Sequence, residues 1–150
     1  MDKKELKKRL VDYCLDYQRK VAENAMTEMN EAYQNADEYG SPEDWFDTYK
    51  TDMLNKRDAF GQQFQKALEE IKNIERINPN VLLDTICFGS VVITDTQKLF
   101  MAAGIGKIEI GKDVFFAISP SVLIFQTIKG LKKNDTFEFR GNKGKIIDVF

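Results

Sequence analysis

The sequence predicts an α+β protein in two parts: a long antiparallel helical hairpin, then a small β-rich domain with one short helix. Three observations lead to this prediction. Apolar residues recur at a spacing near 3.5 up to about residue 77. After Asn78-Pro79-Asn80 they fall in short runs rich in Val, Ile and Phe, punctuated by Gly. In addition, no Gly or Pro occurs in the first helical stretch before Gly40. We therefore expect a hairpin over residues 1–78 and a β domain over residues 79–150.

The two helical stretches are predicted from about Asp2 to about Tyr39 and from about Pro42 to Ile77. In the second stretch, one set of apolar residues lies seven apart and a second set fills the alternate heptad positions. This spacing is typical of a coiled-coil seam. We expect the seam to pack within one chain, although a second copy remains an alternative partner, so the chain is a monomer or a weak dimer. The predicted stripe of the first helix is Leu6, Leu10, Cys14, Tyr17, Val21, Ala25, Met29 and Tyr33; that of the second is Phe46, Met53, Phe60, Phe64, Ala67, Ile71 and Ile74.

A short acidic segment joins the two helices. Ser41 suits an N-cap, and Pro42 suits the first helical position. So short a link requires the helices to run antiparallel, each about 50 Å long at 1.5 Å per residue. The tip, near residues 37–47, carries five carboxylates without an intervening base. They are either solvated acids of two helix turns or groups that face a metal or a partner. These candidate metal ligands are Asp37, Glu38, Glu43, Asp44 and Asp47.

The second half contains strand patterns, one short helix and a closing hairpin. Ser119-Pro120 is predicted to start the helix, and Gly130 to end it. We expect an antiparallel sheet curled around this helix. The predicted strands are 85–93, 98–103, 107–110, 114–118, 135–140 and 145–150, the last two joined through residues 141–144.

Composition narrows the chemistry. The chain has no histidine, which excludes Ser-His-Asp and Cys-His catalysis and His-ligated metals. A general acid or base would have to be Asp, Glu, Lys, Tyr or Cys. The two cysteines, Cys14 and Cys87, are isolated and indicate buried thiols in a reducing compartment. The charged segment 1–9 lacks the apolar core of a signal peptide, and no apolar run is long enough to span a membrane. We therefore expect a cytoplasmic protein.

Fragments of the second half resemble the FKBP-like C-terminal domain of bacterial Gre transcript-cleavage factors. They are Phe88-Gly89-Ser90-Val91-Val92, Ile118-Ser119-Pro120, the segment 128–135 and Ile146-Ile147-Asp148-Val149. Asn134 stands where the family favours Gly, and Asn is the next best residue for a left-handed backbone. The fragments cover about 65 residues, and the order of hairpin and β domain extends the resemblance to the whole chain.

The resemblance implies a transcription elongation factor that binds RNA polymerase and is not itself an enzyme. In that family the hairpin enters the secondary channel of the polymerase, near the nascent RNA. Carboxylates at the tip help to hold a second Mg²⁺ at the polymerase active site, so the factor has no cofactor of its own. The family pattern Asp-Leu-x-Glu-Asn-x-Glu-Tyr is absent here, and the tip acids cannot be matched one for one. The β domain docks outside, for which the candidate residues are Ser119, Pro120, Lys129, Lys132 and Lys133.

Two alternatives remain open from the sequence. An FKBP-like prolyl isomerase or chaperone would need an aromatic-lined apolar pocket, for which Phe115, Phe116, Phe125 and Phe137 are available. A coiled-coil interaction protein without a role in transcription is the other alternative. Fold alone does not decide among them.

Overall fold

The computed structural model describes the backbone of residues 1–38 and 44–150, and the side chains of residues 1–32, 34 and 54–150. Two long helices precede a mixed six-stranded sheet, which confirms the α+β class. The likeness of the sheet domain to FKBP remains a prediction. The elements are α1 (Lys3–Glu38), α2 (Asp44–Glu75), β1 (Val91–Thr94), β2 (Lys98–Met101), β3 (Gly106–Ile110), β4 (Asp113–Ile118), α3 (Leu123–Ile128), β5 (Thr136–Phe139) and β6 (Asn142–Val149).

The chain divides into two compact units. One comprises Met1–Leu15 with Asn73–Phe150, and the other comprises Asp16–Lys72. The first unit takes in both helix ends because Leu10 and Ile74 belong to the same buried cluster as residues of the sheet. These units are defined by contacts, whereas the boundary at residue 78 was predicted from the change in apolar spacing. That boundary stays a prediction.

In the unit Asp16–Lys72, the buried face of α1 consists mostly of small side chains. Its buried residues are Gln18, Ala22, Ala25 and Ala32, with Met29 half-buried between them. A Cβ added at Gly61 of α2 would lie 3.5 Å from the sulfur of Met29, so the two helices touch there. The spacing 18, 22, 25, 29, 32 is the alternation of four and three that a helix pair requires.

The predicted stripe of α1 is wrong at Tyr17. This side chain is 43% exposed, and Tyr13 in the other unit is 42% exposed. Gln18 and Ala22 are buried instead, so at these two turns the packed face lies one residue later in the sequence than predicted. The α2 stripe is closer to the prediction, since Phe60, Phe64 and Ile71 are half-buried and Ala67 and Ile74 are buried. Small residues on one helix leave room for the large rings of the other, whereas a phenol such as Tyr17 keeps its hydroxyl hydrated at the surface.

The strands form one sheet in the order β3-β4-β2-β1-β6-β5. Four of the five pairings are antiparallel, but β2 and β4 run parallel, with Leu99 opposite Phe116 and Met101 opposite Ile118. The expectation of a purely antiparallel sheet is therefore wrong. The connection over residues 102–112 contains β3, which folds back on β4 as an outer hairpin. This crossover is about as long as parallel neighbours require.

Both faces of the sheet are covered. The helix-end face, which includes Val91, Phe100 and Phe115, packs against Leu10 and Ile74 near the ends of α1 and α2. The α3 face includes Val92, Leu99, Met101, Ile146 and Val149 and packs against Phe125 and Ile128 of α3. The sheet is thus a layer between two helical covers, and it is not curled around α3 alone as the sequence suggested. Lys3 also ties the start of α1 to β6, because its Nζ lies 2.8 Å from Asp148 Oδ2.

Three turns refine the predicted boundaries. The α3 helix starts at Leu123 after an N-cap at Val122 that makes no side-chain capping bond, so the predicted start at Ser119-Pro120 is wrong by three residues. The last hairpin turns at Arg140-Gly141, with φ values of 52° and 78°, and not through residues 141–144. Positive φ at both positions is what a two-residue type I′ hairpin needs. Asn134 has φ 74°, as a left-handed turn residue should.

Candidate partner-binding sites

Four of the five acidic residues of the predicted tip fall at the end of α1 and the start of α2. Asp37 and Glu38 belong to the last turn of α1, and Asp44 and Asp47 to the first turn of α2. Glu43 lies outside the described residues, as do the side chains of the other four. Carboxylates in the first turn of α2 interact favourably with its helix dipole. Their role as metal ligands stays a prediction.

The β4–α3 loop holds the first two candidate docking residues. Ser119 Oγ lies 2.7 Å from Ser121 Oγ, so the two hydroxyls share a hydrogen bond. The Ser119 carbonyl accepts from the Val122 N–H at 3.3 Å, which turns the chain into α3. Pro120 is exposed at the corner of this turn. The loop is therefore ordered by its own hydrogen bonds and presents Pro120 to solvent.

The three candidate lysines follow α3. Lys129 is the C-cap residue of α3, and its N–H donates to the Phe125 carbonyl at 2.9 Å. Lys132 donates its backbone N–H to Asp135 Oδ2 at 2.8 Å, which closes the turn that contains Lys133. All three lysine side chains are exposed. Since α3 has six residues and a helix rises 1.5 Å per residue, the Ser119 loop and the lysine turn are separated by one short helix of about 9 Å.

Exposed apolar side chains lie in the same segment, and sequence reasoning did not predict that they would be exposed. Leu123 is 63% exposed at the start of α3, Val122 before it is 37% exposed, and Phe116 on β4 is 39% exposed. The segment 114–134 contains the three lysines and no acidic residue. It therefore offers apolar side chains and positive charge together. Strand alternation could have indicated the exposure of Phe116, because its neighbours Phe115 and Ala117 are both buried on the other face.

The aromatic residues proposed for an isomerase pocket do not converge. Phe115 is buried on the helix-end face of the sheet, whereas Phe125 is buried on the α3 face, with Phe137 packed beside the same cluster. Phe116 is exposed. Rings on opposite faces of a sheet cannot line one pocket, so this set of residues gives no support to an isomerase site.

A second group that the sequence did not reveal surrounds Lys7. The residue is 1% exposed, and its Nζ donates to the Val81 carbonyl at 2.9 Å. Burial lowers the pKa of Lys7, and the nearby Cys87 partly opposes this effect. A lysine in a charged helical segment is usually a surface residue, so the sequence gives no signal for the burial of Lys7.

Within residues 1–38 and 44–150, no three Cys, Asp or Glu side chains that the structure describes come together as a metal site. In that same part of the chain, neither long helix carries an apolar stretch sufficient to cross a bilayer.

No known protein-family model matches this chain. No curated protein matches it either. Among solved structures, the chain is similar to GreA factor homolog 1 (Gfh1) of Thermus thermophilus, with 13% identity and a TM-score of 0.38 over 95% of this chain and 93% of that one. A structure of the transcription factor Gfh1 has 13% identity and a TM-score of 0.36, over 91% and 92% of the two chains. Gfh1 of Thermus aquaticus has 16% identity and a TM-score of 0.33, over 91% and 93%.

Proposed function

We propose that this protein is a Gre-like regulator of bacterial RNA polymerase, whose helical pair enters the secondary channel while the sheet domain docks outside. The observation that carries the proposal is the placement of acidic residues at both helix ends that flank the connection 39–43. Asp37 and Glu38 end one long helix, and Asp44 and Asp47 begin the next. This placement accords with the sequence fragments that resemble the Gre family.

The proposed chemistry uses the polymerase as the enzyme. Carboxylate oxygens are hard ligands that suit Mg²⁺, and a second metal ion stabilises in-line displacement at phosphorus. The factor supplies ligands to a metal ion that the polymerase also holds, so it needs no cofactor of its own. The four acids of the two helix ends, with Glu43 between them, are the proposed ligands.

The docking surface is proposed to be the segment from β4 to β5. Exposed Leu123 and Val122 supply apolar contact, and Lys129, Lys132 and Lys133 supply positive charge. Such a combination fits a partner surface that is apolar at its centre and acidic at its rim. Ser119 and Pro120 border it in the preceding loop.

The first experiment asks whether the helix ends act on the metal. Purified protein is added to bacterial core polymerase stalled on a template, and cleavage of the backtracked RNA is followed at several Mg²⁺ concentrations. Asp37→Asn, Glu38→Gln, Glu43→Gln, Asp44→Asn and Asp47→Asn are tested singly and together. Glu28→Gln and Glu31→Gln, which remove exposed acids elsewhere on α1, are the matched controls.

If the proposal is right, the protein changes the cleavage rate, the combined variant abolishes that change, and the controls keep it. A protein that alters cleavage equally with and without the five acids would contradict the metal role. A protein that does not bind polymerase at all would refute the proposal and favour an interaction protein unrelated to transcription.

The second experiment tests docking. Leu123→Ser removes an exposed apolar side chain that contributes little to the core, so binding to polymerase should weaken while the fold is retained. Ile147→Ser on β6 removes another exposed apolar side chain, 43% accessible, and is the control. Equal binding by the two variants would reject the proposed docking surface.

An isomerase or chaperone is the other alternative to the proposed function. The separation of Phe115 from Phe125 by the sheet weighs against it. A proline-isomerisation assay on a model peptide tests it directly, and acceleration over the uncatalysed rate would revive it.

A further inference from the structure

A small cavity of about 230 Å³ lies in the unit formed by Met1–Leu15 and Asn73–Phe150. We call it the Lys7 pocket. Two cationic residues, Lys7 and Arg76, line it, together with the amide residue Asn78 and the apolar residues Ile77, Val81 and Phe88. No acidic residue that the structure describes is part of its lining. The lining of the pocket thus combines cationic and apolar residues.

Lys7 has spare capacity to bind an anion. An ammonium group carries three N–H donors. In the described part of the chain its one hydrogen-bond partner is the Val81 carbonyl, and no carboxylate forms an ion pair with it. A nearly buried cation without a carboxylate partner is costly. The lowered pKa of Lys7, caused first by burial, agrees with a charge that lacks compensation.

Asn78 adds a second donor. Its Oδ1 accepts the backbone N–H of Asn80 at 3.0 Å, which leaves the side-chain NH₂ to donate. Arg76, which follows the end of α2, adds a guanidinium suited to a carboxylate. The pocket therefore combines three kinds of nitrogen donor with an apolar wall.

We propose that the Lys7 pocket binds a small organic monocarboxylate, with its carboxylate on Lys7 and Arg76 and its apolar body against Ile77 and Phe88. The size supports this class of ligand. A volume of 230 Å³ corresponds to about eight water molecules at roughly 30 Å³ each. It is below the roughly 300–1,000 Å³ of pockets for drug-sized ligands. The inference does not depend on the proposed role at RNA polymerase.

The test uses hexanoate as the probe and hexanamide, the neutral analogue of the same shape, as the matched ligand. Both are titrated into the full-length ¹⁵N-labelled protein, and amide shifts near Asn78 and Phe88 are followed. We expect hexanoate to bind saturably with a Kd on the order of millimolar. Hexanamide should bind at least about tenfold more weakly, because it carries no negative charge to pair with the cations of Lys7 and Arg76. Acetate should also bind more weakly than hexanoate, since it lacks the apolar body.

Variants then separate a built site from general charge. Lys7→Met should weaken hexanoate binding by about tenfold or more, whereas Lys8→Met, which removes an exposed neighbouring lysine, should leave it unchanged. Arg76→Gln changes an exposed residue, so it should fold and should also weaken hexanoate binding, which tests the proposal if Lys7→Met fails to fold. The proposal is overturned if hexanamide binds as well as hexanoate, if Lys8→Met and Lys7→Met have equal effects, or if no saturable binding occurs.

Discussion

Gly144→Ala should destabilise the protein although alanine is the smallest possible addition. Gly144 on β6 lies opposite Phe137 on β5. A Cβ at Gly144 would lie 2.8 and 2.9 Å from Cε1 and Cε2 of the Phe137 ring, and closer still to Cζ. Carbon atoms in contact prefer about 3.5–4.0 Å. The ring must therefore move, and it is packed against the buried cluster on the α3 face of the sheet.

The expected cost is that of overpacking, about 1–3 kcal/mol in the free energy of unfolding. For a chain of this size each 1 kcal/mol changes Tm by about 2–4 °C, so the decrease should be about 2–12 °C. Urea unfolding followed by circular dichroism measures the free energy, and a thermal scan measures Tm. Gly104→Ala is the control, because the nearest heavy atom to its added Cβ is 3.9 Å away, on Ser119. That change should be neutral or stabilising by up to about 1 kcal/mol.

A second variant isolates the cause. In a Phe137→Leu background the ring is gone, so adding Gly144→Ala should cost less than about 0.5 kcal/mol. The two changes are then non-additive, as expected for groups in contact. Wild-type stability of Gly144→Ala, or strict additivity with Phe137→Leu, would refute the reasoning.

Three further predictions concern the buried groups of the same unit. Ile74→Ala should lower the free energy of unfolding by about 2–5 kcal/mol, because Ile74 is fully buried in the cluster of the helix ends and the sheet. Ile147→Ala, at a 43% exposed site, should change it by no more than about 1 kcal/mol. Equal losses in urea unfolding would contradict this packing. Burial raises the pKa of Cys14 to about 12, so an alkylating reagent at pH 8 should leave Cys14 unmodified until the protein unfolds. Mass spectrometry measures the modification. Modification of the native protein at the rate of a free thiol would argue against the burial of Cys14. The pKa of Lys7 is lowered from 10.5, chiefly by burial, so between that lowered value and 10.5 the unfolded chain binds more protons than the folded one. The stability of Lys7→Met relative to wild type should therefore be greatest below this window and decline as pH rises through it; a difference independent of pH in alkaline urea titrations would count against a buried charge.

Local patterns determined much of this molecule. The heptad spacing of α2 predicted seven inner residues, of which the side chains of Phe46 and Met53 lie outside the described residues. The other five are buried or half-buried: Phe60, Phe64, Ala67, Ile71 and Ile74. The predicted helix limits differ from those of α1 and α2 by two residues at most. Periodicity reports which side of an element is apolar, and that information is carried by neighbouring residues in the chain. For the candidate site, the positions of the acids near the ends of α1 and α2 could be read from the sequence, and their role stays a prediction.

Contacts between distant segments decided the rest. The parallel pairing of β2 with β4 depends on where the β3–β4 hairpin settles, and alternation within each strand is the same for either direction. The Lys7 ammonium donates to the carbonyl of Val81, 74 residues away in sequence. The lining of the Lys7 pocket likewise joins the start of α1 to residues 76–89. Sequence period reveals an amphipathic face, but the identity of the segment that covers that face is a property of the folded chain.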